Sequence, residues 1–308
     1  MKTVLTLLGA AGLSVLAGFA QAQSARTFVS RTGSDTYSCG IGDPCRTLQR
    51  AHDLTAPRGE IAVLDAGGYG TLVITKSISV VNDGVGEAAI SAVNAIGIEI
   101  RASADDVVNI RGLTINGSGT GPYGIEASSV GTLNIQNCTA RGLVMGFRFI
   151  SSSIVNISDS TASDNKFHGI MYSPASGSGG SITAERVQLI GNGEYGMFVA
   201  YDPSAYRPTI KAFVSDSVAS GNKFAGFFVS GNFSAYYPPT MIVSNSRTVG
   251  NAIGLQSADA TLIASQVVEG SSSSYAYSVG QDGVIKSSGN NYFDTSAHQG
   301  TLSVASLQ

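Results

Sequence analysis

The chain has 308 residues, of which 43% are hydrophobic and only 13% charged, for a formal net charge of -3. That balance excludes a disordered chain, which needs charge and lacks apolar residues. The weakly acidic character, with a sequence pI near 5.6, removes the electrostatic case for nucleic acid and leaves sugars and proteins as partner classes.

Residues 1–22 read as a secretory signal peptide. Lys2 supplies the positive start, Val4 to Phe19 the apolar stretch, and Ala20-Gln21-Ala22 the small-residue cleavage site. The mature protein is then expected to begin at Gln23, in the periplasm or outside the cell. No later segment has the ~20 apolar residues that a membrane span needs.

Residues 23–60 read as a cap. Thr27-Phe28-Val29-Ser30 is a short strand. Cys39 and Cys45 bracket Gly40, Gly42 and Pro44, which let the chain double back. A local disulfide is expected in an oxidising compartment. Thr47 is placed to N-cap a short helix with Leu48, Ala51, His52 and Leu54 on one face. Pro57, Arg58 and Gly59 stop it.

Residues 61–295 repeat. Glycines 97, 124, 146, 169, 196, 226 and 254 head similar phrases, at steps of 27, 22, 23, 27, 30 and 28. A period in this range, carried by strand-forming residues, predicts a coiled β-solenoid. At ~26 residues per coil the stretch holds roughly nine coils. Alternation along the strand after each glycine sends Ile98, Ile125, Phe147, Ile170, Met197, Phe227 and Leu255 inward as one column. Asn165, Asn192, Asn222 and Asn251 recur at a turn, at steps of 27, 30 and 29. They are expected to stack as a structural ladder. Cys138 stands where other coils carry Ser160, Ser217 and Ser246, and reads as a small packed residue. Residues 296–308 are left as a C-terminal tail.

Two stretches carry a family resemblance. Pro44-Cys45-Arg46-Thr47-Leu48, leading to Gly59-Glu60-Ile61 and Leu64-Asp65-Ala66-Gly67-Gly68-Tyr69, is similar to the helical cap and first rung of the pectate-lyase-like, right-handed parallel β-helix superfamily. Ser287-Ser-Gly-Asn-Asn-Tyr-Phe293 resembles one of its final rungs. The resemblance implies an all-β right-handed parallel β-helix. It implies no single activity, because the superfamily holds lyases, hydrolases, esterases, epimerases and non-enzymatic adhesins. Its catalytic motifs are mostly missing. The chain has no Trp for a Trp-Ile-Asp-His strand. Asp105-Asp106 and His168-Gly169 stand far apart, and Tyr201-Asp202-Pro203-Ser204 matches only the first pair of Asp-Pro-His-Asp. No metal-ligating set or cofactor motif is present.

Three groupings remain. The residue two after each repeated glycine points outward, as the column Glu99, Glu126, Arg148, Met171, Phe198, Phe228 and Gln256. Rungs ~4.8 Å apart bring Glu99 and Glu126 close to the ~5–5.5 Å of a retaining glycosidase pair, beside Arg148. His168 is a candidate general base. Tyr172, Tyr201, Tyr206, Tyr236 and Tyr237 form a tyrosine-rich loop set suited to sugar rings. Lys166 and Lys223 follow the turn asparagines on two coils, a cationic grip for acidic polysaccharide. The leading expectation is a secreted protein that binds extended polysaccharide along one face and through these loops. The alternatives are a polysaccharide lyase, hydrolase or epimerase using Glu99, Glu126, Arg148 and His168, and a structural adhesin with a protein partner.

Overall fold

The computed structural model describes residues 23–174, 179–200, 209–231, 238–294 and 297–304. Residues 1–22, expected to be a signal peptide, lie outside them, as do Tyr201, Tyr206, Tyr236 and Tyr237. Among the described residues, no helix is long and apolar enough to cross a membrane.

The chain winds as a solenoid with three sheet faces, and every paired strand runs parallel to its neighbour. The first face is a ladder of twelve strands from Ser24–Val29 to Leu302–Val304. The second runs through Thr161–Ser163, Gln188–Ile190, Val218–Ser220 and Arg247–Val249. The third runs through Ile98–Arg101, Ile170–Tyr172, Met197–Ala200, Ala225–Ser230 and Ile253–Ala258. Two long strands, Leu113–Ser129 and Thr139–Phe149, serve both of these faces without a break. Among the described residues nine successive turns cross all three faces. The strands that begin them run from Thr55–Val63 to Thr261–Ser265.

Period-two alternation builds the core. Ile98, Ile125, Phe147, Ile170, Met197, Phe227 and Leu255 are register partners, each at most 1% exposed. Ile61, Val80, Ile110, Ile135 and Ile157 make the matching column inside the first face. No single coil can bury such a column, so stacking supplies the hydrophobic stabilisation.

Close approach explains the repeated glycines. A Cβ on Gly169 would sit 2.7 Å from the Gly196 carbonyl oxygen and 2.9 Å from the Asn192 amide nitrogen. Gly146, Gly196 and Gly226 are crowded in the same way by the next glycine down the stack. Beside them runs the asparagine ladder. Asn165, Asn192 and Asn222 each donate Nδ2 to the next Oδ1 at 2.9 Å, ending on Asn251. The same Oδ1 atoms accept the backbone N–H groups of Asn165, Asn192 and Asn222. All four side chains are buried, and this network satisfies the turn backbone.

The N-terminal end is closed by the short helix α1 (Leu48–Leu54). The Thr47 side chain accepts from Arg50 N–H, and Leu48, Ala51 and His52 are buried. Cys39 and Cys45 form a disulfide. Their loop bonds to the outer edge of the first strand, at Phe28 and Ser30. Cys138 is a free, buried thiol whose burial pushes its pKa up to about 11.

Candidate functional site

The outward side of the third face carries the densest chemistry. Glu99, Glu126, Arg148, Met171, Phe198, Phe228 and Gln256 are register partners on successive strands. A second row flanks them, from the residues just before the repeated glycines: Tyr123, Met145, His168 and Tyr195. The two rows divide the face into a charged end and an aromatic end.

At the charged end each carboxylate has its own guanidinium. Arg101 Nε donates to Glu99 Oε1 at 2.7 Å. Arg148 pairs with Glu126, and its guanidinium carbon lies 4.8 Å from the Tyr123 ring centroid. Glu126 is only 7% exposed, so this pair is largely removed from water. Glu99 and Glu126 are therefore neighbours in register, each engaged by its own arginine. Each carboxylate thus faces a guanidinium, where the glycosidase-type expectation has two carboxyl groups facing one another.

The aromatic end is a continuous run of rings. Tyr195 lies 5.2 Å from Phe198, 4.9 Å from Phe228 and 5.8 Å from Phe224, centroid to centroid. Phe198 stacks on Phe228 at 5.1 Å. Phe224 stays 50% exposed at the rim. Sequence reasoning missed Tyr123, Tyr195 and Phe224. The signal for the first two was their place directly before Gly124 and Gly196.

His168 closes the gap between the two ends. Its ring lies 5.3 Å from Tyr195 and 5.2 Å from Phe198. Burial pushes its pKa down to about 4. Nδ1 lies 3.4 Å from Glu194 Oε2, but without hydrogen-bond geometry. The ring packs between Tyr195 and Phe198, and its burial leaves it a weaker base than a free imidazole.

Tyr172 is also corrected. Its position follows Ile170 by two, so alternation turns it inward. It is fully buried and donates its hydroxyl to the Ser153 carbonyl at 2.9 Å. No face of that ring is available to a ligand. The exposed Lys166 and Lys223 do come together, in a shallow cleft of about 400 Å³ that also takes in Gly142, Gly191 and Gly193. Among the described residues no cluster of His, Cys, Asp and Glu could hold a metal ion.

Comparison with known proteins agrees with this geometry. The family described as right handed beta helix region matches residues 62–209 and 94–277. The chain belongs to that family. Two solved structures resemble it. One is a rhamnogalacturonan lyase, with TM-score 0.65 and 13% identity over 80% of this chain and 74% of the other. The second is the pectate lyase Pel9A, with TM-score 0.54 and 14% identity over 89% and 79%. At that identity the likeness concerns the fold alone, a right-handed parallel β-helix. None of the curated proteins matches the sequence.

Proposed function

We propose that this is an exported solenoid protein that binds an extended polysaccharide along its third face. One observation carries the reading. Tyr195 and Phe198 from one turn, and Phe224 and Phe228 from the next, form one run of rings on the outside of the solenoid. Outward rings on a water-facing sheet are unusual without a partner, and flat apolar faces suit sugar rings. Export is supported by the disulfide at the N-terminal end and by the leader sequence.

Other parts of the proposal extend this face. Lys166 and Lys223 would steady a polymer at its rim. Tyr201, Tyr206, Tyr236 and Tyr237 follow the strands that carry Phe198 and Phe228 in the sequence, and are proposed to contact the same polymer. A lyase, hydrolase or epimerase reading is weaker. Glu99 and Glu126 are each occupied by an arginine, and His168 is enclosed.

The test is affinity electrophoresis of the mature protein through gels containing pectin, alginate or glucan, with absorbance followed for unsaturated uronates. We expect retardation by at least one polymer without product, and at least a tenfold weaker effect for Phe224→Ala combined with Tyr195→Ala. Product formation would replace the binding reading with an enzymatic one, and no retardation by any polymer would end both.

A further inference from the structure

The helix α1 covers more than the core. Its side chains take the place of a strand along the outer edge of Leu72–Ile74, a strand of the third face that pairs on its inner side with Ile98–Ile100. Backbone groups alternate between the two edges of a strand. Leu72 bonds inward, donating its N–H to the Gly97 carbonyl. Val73 and Thr75 face outward, toward α1. Gln49 takes both groups of Val73: its Oε1 accepts the N–H at 2.8 Å, and its Nε2 donates to the carbonyl at 3.5 Å. His52 takes the next group, its Nε2 accepting the Thr75 N–H at 3.3 Å.

That last bond fixes the state of the ring. Nε2 accepts only while it carries no proton, so the proton of the neutral imidazole sits on Nδ1 and is donated to Asp53 Oδ1 at 3.2 Å. His52 is only 4% exposed. A second proton has one place to go, Nε2, where it sets an N–H against the Thr75 N–H in a buried position. Both donors then lack an acceptor. The charged groups facing the ring are Asp53, on the same helix, and Lys76, just past the strand Leu72–Ile74. From the other two strands against the helix, Arg26 and Glu60 pair with each other, and Arg58 lies in a hollow of the first face. Burial pushes the ring's pKa below its ordinary value; Lys76 adds to the shift and Asp53 opposes it.

We propose that His52 is an acid latch on the N-terminal cap: uptake of a solvent proton at Nε2 breaks the Thr75 bond, releases α1 and leaves the outward backbone groups of Val73 and Thr75 open. The released state binds that proton at the ordinary imidazole value and the docked state binds it more weakly. Docking therefore weakens as pH falls below about 6.5. An uncovered edge of this kind is a pairing surface for another strand, so acid turns a blunt end of the solenoid into an adhesive one. The latch does not depend on what the third face binds.

Amide exchange of the full mature chain at pH 7 and pH 5, with each rate corrected for the intrinsic effect of pH, tests this. We expect protection at Val73 and Thr75 to fall at least about threefold at the lower pH. Val199, paired on both sides in the middle of the stack, should not change. His52→Gln keeps an acceptor near the place of Nε2 and cannot charge. It should retain the neutral protection and abolish the pH effect, whereas His168→Gln should leave the effect intact. Should His52→Gln fail to fold, the unmodified protein gives a second readout: the His52 ring protons and the Thr75 amide should titrate together, with a midpoint below 6.5. Protection at Val73 and Thr75 that ignores pH, an equal loss at Val199, a loss that persists in His52→Gln, or a Thr75 amide that does not follow the ring would overturn the proposal.

Discussion

Asn192 donates its side-chain amide to Asn222 Oδ1 at 2.9 Å, although thirty positions separate the two in sequence. The contact repeats above and below, and it joins the turn backbone of one coil to the next. Removing one member should therefore be felt by its neighbours. Asn192→Ala would strip a partner from the Asn165 amide and from the Asn165 backbone N–H, both buried. We expect a loss of about 2–4 kcal/mol in urea unfolding, from unsatisfied buried groups at ~1–3 kcal/mol each. A loss below about 0.5 kcal/mol would show that the ladder is ornamental.

Gly169 and Gly42 give a matched pair. A methyl on Gly169 would meet the Gly196 carbonyl at 2.7 Å, whereas one on Gly42 would meet nothing within 4 Å. Gly169→Ala should lower stability by about 2 kcal/mol or more, by overpacking against backbone that cannot yield. Gly42→Ala should stay within about 0.5 kcal/mol of the parent. Equal effects in thermal unfolding would contradict the account of the repeat.

The enclosed His168 makes stability depend on pH with a defined sign. Its folded pKa, about 4, lies below the ordinary 6.5. Between those values the unfolded chain binds a proton that the folded chain refuses, so stability falls as pH falls. The loss should begin near pH 6.5 and level off below about pH 4, at about 3 kcal/mol. His168→Gln should flatten that part of the profile in urea titrations at stepped pH. An unchanged slope would show that other groups set it.

Cys138 should resist modification. Its thiol is buried, its pKa is raised to about 11, and it lies 3.3 Å from the Gln136 carbonyl oxygen. Iodoacetamide at pH 8 should label it only at the rate of unfolding, with full labelling in denaturant. Rapid labelling of the native protein would contradict its burial.

The glycine spacing carried most of the fold. It placed Glu99, Glu126, Arg148, Met171, Phe198 and Phe228 in one column, because register in a solenoid follows directly from the period. The local cap at Thr47 and the Cys39–Cys45 closure were equally legible, since each depends on residues close in sequence. The site was read less well. Glu126 and Glu99 are quenched by Arg148 and Arg101, a choice of partner that spacing does not decide. His168 is enclosed by Tyr195 and Phe198 from the next turn, so its burial is a property of the stack and not of its own segment. Tyr172 was misplaced by its composition, although alternation from Ile170 already turned it inward.

Hydroxyl-radical footprinting, with and without the polysaccharide that retards the protein most, tests the central claim most directly. Bound polymer should lower oxidation of Met171, Tyr195 and Phe224 at least threefold, while Tyr292, 61% exposed near the far end, stays unchanged. Retardation with unchanged oxidation at those three positions would place the polymer elsewhere and contradict the third-face account.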